Sequence, residues 1–123
     1  MTEYQEQVLL CEYIRYHYPL VIFFSDLSGI KLPMGLAKKV KGLKCSRGIP
    51  DLFIACPTKG YYGLFIELKR TGTKLYKKNG DIYKDAHLEE QARVLDNLRK
   101  DGYRAEFCLG YQDAVTLIDW YLA

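Results

Sequence analysis

The sequence holds no apolar run near the roughly 20 residues that a membrane-crossing helix requires. Its start, MTEYQEQ, lacks the basic, then apolar, then small-residue order of a secretory leader, so a cytoplasmic protein is the expectation. It has no C-x-x-C pair. The 4 cysteines, Cys11, Cys45, Cys56 and Cys108, lie far apart and without paired histidines, which excludes a zinc-ligand pattern and a dithiol redox motif. Cys11, Cys56 and Cys108 fall in apolar stretches and read as small, reduced core residues. Only 2 histidines occur, His17 and His87, neither beside another ligand type at metal spacing, and both read as surface or capping residues. No glycine-rich phosphate loop and no Ser-His-Asp set is present, which removes those routes to phosphate binding and acyl transfer. Internal repeats and low-complexity segments are absent as well.

What is present fits one domain spanning residues 1–123, since domains typically run to roughly 100–150 residues. With 49% apolar and 27% charged residues, the composition is that of a globular protein rather than a disordered one. The net charge of +3 conceals a strong division along the chain. Residues 31–84 carry 13 Lys and Arg against Asp51, Glu67 and Asp81, a balance of +10; the remainder carries 5 basic and 12 acidic residues, a balance of −7. A basic segment of this kind can be a solvated face. Because it brackets two candidate catalytic carboxylates, nucleic-acid phosphate is the better reading.

Apolar side chains at Tyr4, Val8, Cys11, Ile14 and Tyr18 recur at helical spacing, with Thr2 as N-cap and Pro19 as stop, which predicts a helix from Glu3 to His17. Leu20 to Phe24 has the length and β-branched, aromatic character of a buried strand. Ser25 to Ile49 is a long connection of the kind that is usually functional; within it Leu36, Val40 and Leu43 can line a short basic helix. Leu52 to Ala55 and Gly63 to Lys69 read as a strand pair joined by a turn-rich link. Tyr76 to Tyr83 looks like a small hairpin. Leu88, Ala92, Leu95 and Leu98 mark a further helix stopped at Gly102, Ala105 to Leu109 a fourth strand, and Ala114 to Tyr121 a last helix. The expected order is αβββαβα.

Along a strand, side chains alternate between faces, so Glu67 and Lys69 point the same way while Ile66 and Leu68 point the other. Charges on an otherwise apolar strand need compensation. A hairpin pairing of the two middle strands brings Asp51 beside Glu67, and two adjoining carboxylates call for a hard divalent cation such as Mg²⁺ or Mn²⁺. A plainer alternative stays open here: Glu67 and Lys69 as a structural ion pair at a sheet edge, with Asp51 capping a turn.

Gly48-Ile49-Pro50-Asp51-Leu52 followed by Phe65-Ile66-Glu67-Leu68-Lys69 resembles the core of the PD-(D/E)xK nucleases, and specifically the VRR-NUC family. The resemblance runs over nearly the whole chain: a first helix with Glu3, Glu6 and Gln7, a later helix with Gln91 in Glu89-Glu90-Gln91, then Leu98 to Tyr103 in a Leu-x-x-x-Gly-Tyr pattern. It implies a restriction-endonuclease-like α/β fold with a mixed central sheet flanked by helices. It further implies a metal-dependent endonuclease that hydrolyses DNA, with branched DNA such as flaps or Holliday junctions as possible substrates, and leaves a 5′-phosphate. By the same resemblance Asp51, Glu67 and the Leu68 backbone carbonyl are metal ligands together with Glu6 or Glu3, of which Glu6 is favoured. Lys69 positions or activates water and offsets phosphate charge, and Gln91 has a positioning role.

The basic residues expected to meet DNA are Lys38, Lys39, Lys41, Lys44, Arg47, Arg70, Lys74, Lys77 and Lys78. Two features depart from the family pattern. Many relatives carry Asn-Gly after the first strand, where this chain reads Ser25-Asp26-Leu27-Ser28-Gly29, and the link from Thr73 to Asp85 is longer than usual. In that link lysines interleave with Tyr76 and Tyr83, a pairing suited to phosphates and exposed bases. The small size leads to the expectation of a homodimer acting on two strands. A non-catalytic DNA-binding or recombination accessory module is the alternative in a different functional class.

Overall fold

The computed structural model describes residues 1–27 and 30–123. Its elements run α1 (Glu3–His17), β1 (Phe23–Ser25), α2 (Met34–Lys41), β2 (Leu52–Ile54), β3 (Leu64–Lys69), α3 (Ala86–Lys100), β4 (Arg104–Leu109) and α4 (Tyr111–Leu122). The expected αβββαβα order is present, with α2 inserted in the long connection where a short basic helix was expected.

The strands form one mixed sheet in the order β1-β2-β3-β4. β2 runs antiparallel to both of its neighbours, β1 and β3, whereas β4 runs parallel to β3, and α3 makes the crossover such a connection needs. On one face Leu64, Ile66 and Leu68 pack with Leu10 and Ile14 of α1 and with Ala114, Ile118 and Tyr121 of α4 in the main core. α3 lies against β4, and its Leu95 is fully buried. The odd-numbered residues of β3, Phe65, Glu67 and Lys69, occupy the second face.

α1 begins with a capping box: Thr2 Oγ1 accepts from Gln5 N–H at 3.1 Å, and the Gln5 side chain accepts from Thr2 N–H at 2.8 Å. Asp85 caps α3 in the simpler way, accepting from Leu88 N–H at 2.9 Å. After α3 the chain reverses through Gly102, whose φ of 99° suits only glycine well.

One expectation needs correction. Leu20 to Phe24 reads as a buried strand, but β1 starts only at Phe23, and Leu20, Ile22 and Phe24 are exposed. A short apolar run carries no mark of whether its strand is central or at an edge. Here a turn closed by Val21 N–H on the Tyr18 carbonyl uses up the first residues, and β1 lies at the sheet edge. Trp120 on α4 is 45% exposed, with the Arg104 guanidinium 4.9 Å from its ring.

Candidate active site

Register positions the site. Leu52 pairs with Ile66, so the next positions outward set Asp51 opposite Glu67 and Pro50 opposite Leu68. The Gly63 and Lys69 carbonyls accept from Arg104 and Gly110 N–H on the β4 side. Even-numbered residues of β3 therefore direct their amides toward β2. Leu68 N–H, on that side, is met at 2.8 Å by Asp51 Oδ2 instead of by a ladder carbonyl. The Leu68 carbonyl points the same way, toward Pro50, which has no N–H to offer it. Proline before aspartate thus ends the ladder where the carboxylate begins.

Asp51 is fixed through its main chain as well. Its carbonyl accepts from Asp26 N–H at 2.6 Å and from Ser25 Oγ at 3.1 Å. Gln7 Nε2 in turn donates to Ser25 Oγ and, at 3.0 Å, to the Asp26 carbonyl. In this way α1 holds the end of β1, and β1 holds Asp51.

Asp51 and Glu67 are 4% and 2% exposed, so two carboxyl groups share an almost dry space. Burial, then a hydrogen bond with Asp51 and its charge, push the Glu67 carboxyl up to about 11; Lys69 opposes this and Glu3 adds to it. Without a cation the pair holds a proton at neutral pH. Glu3 is half-buried, and burial followed by the Asp51 charge raises its carboxyl above the ordinary value, against Lys69 and a hydrogen bond from Arg70 N–H.

Glu6 behaves differently. Its carboxylate accepts from Thr71 Oγ1 at 2.7 Å, Thr71 N–H at 3.1 Å and Tyr111 N–H at 3.1 Å. Burial alone would raise this carboxyl; the Thr71 and Tyr111 donors outweigh it and hold the group below its ordinary value. Glu6 joins α1 to the turn after β3 and to the start of α4, and a Cβ on Gly110 would lie 2.9 Å from its Oε1. Glu6, favoured from the sequence, is thus occupied by protein donors, whereas Glu3 is the first-helix carboxylate that interacts with Asp51 and Glu67. Helical spacing left both on the same side and could not separate them.

Across from Glu67, α3 contributes Gln91 and His87 to a cleft of about 350 Å³. Gln91 is buried, and its Oε1 has no hydrogen-bond partner among the described residues. Gly48, with φ of 80°, lets the loop before Asp51 approach α3; a Cβ there would meet Glu90 Cγ at 3.2 Å and Gln91 N at 3.3 Å. His87, read from sequence as a surface or capping residue, is exposed but lines this cleft. Its i, i+4 relation to Gln91 was the signal available for it.

The expected DNA-binding residues divide into two groups. Lys38, Lys39 and Lys41 are exposed on α2, as are Arg70, at the end of β3, and Lys74, Lys77 and Lys78 in the following link. Lys44 instead pairs with Asp26 at 2.6 Å, largely covered, and Arg47 approaches Glu90 at 3.5 Å. The link does form a hairpin, with Tyr76 bridged to Ile82 and Leu75 buried at its base. Of the segment that departs from the Asn-Gly pattern, Ser28 and Gly29 lie outside the described residues.

Among the described residues no group of three His, Cys, Asp or Glu side chains stands assembled as a metal cage. The donor set nonetheless suits a hard cation. Asp51 and Glu67 adjoin, Glu3 is coupled to both, and the Leu68 carbonyl faces the same gap, all oxygen donors of the type Mg²⁺ and Mn²⁺ take.

A mixed sheet that presents Pro-Asp and Glu-x-Lys on adjoining strands defines the class: a nuclease-type domain of the PD-(D/E)xK superfamily, whose general business is DNA processing. Within that class the chain belongs to the VRR-NUC family, whose domain model matches residues 1–112. A solved structure described as a VRR_NUC domain protein shares the fold at a TM-score of 0.65 and 22% identity, covering 99% of this chain and 88% of that one. No curated protein matches the chain. None of the described helices is long and apolar enough to cross a membrane.

Proposed function

We propose that this protein is a metal-dependent endodeoxyribonuclease, with Asp51, Glu67 and Lys69 at its centre. The observation that carries the reading is the Asp51–Glu67 pair, two carboxyls together in a nearly dry space with a lysine beside them. Such a pair is unfavourable as a structural device unless a proton or cation compensates it. A DNA-binding accessory module has no use for it, which favours the enzyme over the non-catalytic alternative.

In this proposal Asp51, Glu67, Glu3 and the Leu68 carbonyl hold Mg²⁺ or Mn²⁺. When bound, the ion acidifies water and stabilises charge on the phosphate oxygens. Leu68 N–H holds the Asp51 carboxylate in place, which limits the rearrangement needed to receive a cation. Lys69 orients the attacking water and offsets negative charge as the phosphorane-like transition state forms. Gln91 directs its carboxamide into the cleft from the opposite wall. Lys38, Lys39, Lys41, Arg70, Lys74, Lys77 and Lys78 attract the phosphate backbone, with Lys44 and Arg47 joining them where DNA displaces their acidic partners.

Branched DNA, flaps or four-way junctions, is the proposed substrate, cut by a homodimer that sets one site on each of two strands. The test is a panel of linear, flap and four-way DNA, with matched RNA, offered with Mg²⁺ and with Mn²⁺, alongside sedimentation to count subunits. Cutting of branched DNA that Asp51→Ala and Lys69→Ala abolish while binding persists supports the reading. Binding with every substrate left intact under both metals refutes it in favour of the accessory module.

A further inference from the structure

His87 lies one helical turn before Gln91, and its Nε2 is 3.3 Å from Gln91 Nε2. A carboxamide nitrogen can only donate, so the imidazole nitrogen that faces it must accept. A neutral imidazole that accepts at Nε2 carries its proton on Nδ1. The same contact decides the other end of the amide, because Gln91 Nε2 directed to His87 leaves Oε1 as the atom without a partner among the described residues. Turned about, the amide would place its oxygen on an Nε2–H of His87 and present two N–H donors to the cleft instead. The two arrangements offer opposite hydrogen-bonding character to whatever enters beside Glu67, and the ring nitrogen selects between them.

We propose that His87 is a positioning residue for the nuclease reaction: by accepting from Gln91 Nε2 it holds Gln91 Oε1 toward the cleft, where that oxygen accepts a hydrogen bond from the attacking water. The inference rests on the nuclease reading and adds a residue to it. It accounts for an acceptor buried without a donor, since water delivered with substrate is a donor. It also fits the exposure of His87, which lies in the first turn of α3 outside the core, so its replacement should leave the fold intact.

The experiment compares wild type, Gln91→Ala, His87→Ala and His87→Gln by steady-state cleavage of whichever DNA the panel shows to be cut. Nitrogen-resolved NMR on the metal-free proteins reads the His87 tautomer and the Gln91 side-chain amide. The expected result is a kcat lowered roughly 10-fold to 100-fold in His87→Ala with KM unchanged, the scale on which loss of an orienting partner acts. His87→Gln, whose carboxamide oxygen can accept in place of the ring, should recover most of that loss. In the metal-free wild type His87 should be protonated on Nδ1, and the Gln91 amide signals should move in His87→Ala but stay close to wild type in His87→Gln.

A His87→Ala protein with wild-type kcat overturns the inference alone, provided wild type cuts and Gln91→Ala is impaired. An Nε2-protonated His87, or Gln91 amide signals indifferent to His87→Ala, overturns it whatever the kinetics. A wild type that cuts nothing overturns the nuclease reading and the role of His87 together.

Discussion

Asp51 Oδ2 accepts a hydrogen bond from Leu68 N–H at 2.8 Å, so a side chain takes the ladder position a backbone carbonyl would otherwise fill. The contact makes one carboxylate both a structural acceptor and the neighbour of Glu67. Two replacements separate these duties. Asp51→Asn keeps an acceptor for Leu68 N–H and removes the charge beside Glu67, so the metal-free protein should melt at or above the wild-type temperature. Asp51→Ala leaves a buried N–H unmet, which costs about 1–3 kcal/mol. Both should lower cleavage by on the order of 10²-fold or more, the scale of removing one preorganised electrostatic group. Thermal melts and single-turnover cleavage check the two halves. An Asp51→Asn protein that cuts at the wild-type rate would remove the carboxylate from the mechanism.

Glu67 sets the pH dependence of the metal-free protein. The folded chain holds its proton up to about pH 11, whereas the unfolded chain releases it near 4.5. Between those values the folded state binds more protons, so this group's contribution makes stability fall as pH rises. A divalent cation can take the proton's place, so its stabilising effect should grow with pH across the same window. Urea melts at several pH values, with and without Mg²⁺, measure this, and Glu67→Gln should flatten both dependences. Calorimetry in buffers of different ionisation enthalpy should register proton release on metal binding. Equal stabilisation by Mg²⁺ at pH 5 and pH 8 would contradict the expectation.

Much of this site can be read without coordinates, for identifiable reasons. The alternation of β3 sets Glu67 and Lys69 on one face, and a simple hairpin brings Asp51 opposite Glu67, as observed in the register. The helix starting at Glu3 also follows from local signals, because the Thr2 cap and apolar period belong to contiguous residues. Other features depend on contacts remote in sequence. Glu6 meets Thr71 and Tyr111 only after α1 has packed across β3 and α4, so no local pattern distinguishes it from Glu3. The edge position of β1 is likewise a property of the whole sheet, and Lys44 loses its free charge to Asp26, 18 residues earlier.

The division of labour between Glu3 and Glu6 is open to direct test. Glu6→Ala strands Thr71 N–H and Tyr111 N–H, and should destabilise the protein by roughly 1–3 kcal/mol with or without metal. Since folding lowers the Glu6 pKa, its contribution is present above 4.5 and lost as pH falls through the depressed folded value, opposite in sign to that of Glu67. Glu3→Gln removes a charge that Asp51 opposes, so it should leave stability unchanged or raised while weakening Mg²⁺ binding. Chemical denaturation at pH 7 and a metal titration followed by calorimetry distinguish the two. Tighter dependence of metal affinity on Glu6 than on Glu3 would restore the sequence-based preference.

The basic residues should differ in how they respond to salt. Each phosphate contact contributes about 0.9 to the slope of log affinity against log salt concentration, through release of condensed counterions from duplex DNA. Lys38, Lys39 and Lys41 are exposed on α2, a helix with no buried side chains, so replacing one by Ala should reduce the slope by about 1 and leave melting unchanged. Lys44 is committed to Asp26 in a largely covered pair, so Lys44→Ala should chiefly loosen the connection between β1 and α2. The measurement is DNA binding over a range of KCl concentrations without divalent metal, where cleavage does not intrude. If Lys44→Ala changes the slope as much as Lys39→Ala, DNA has taken Lys44 from Asp26, and the ion pair is a resting arrangement that binding opens. If none of the four changes the slope, α2 lies off the DNA path and the phosphate contacts fall to Arg70 and the hairpin lysines.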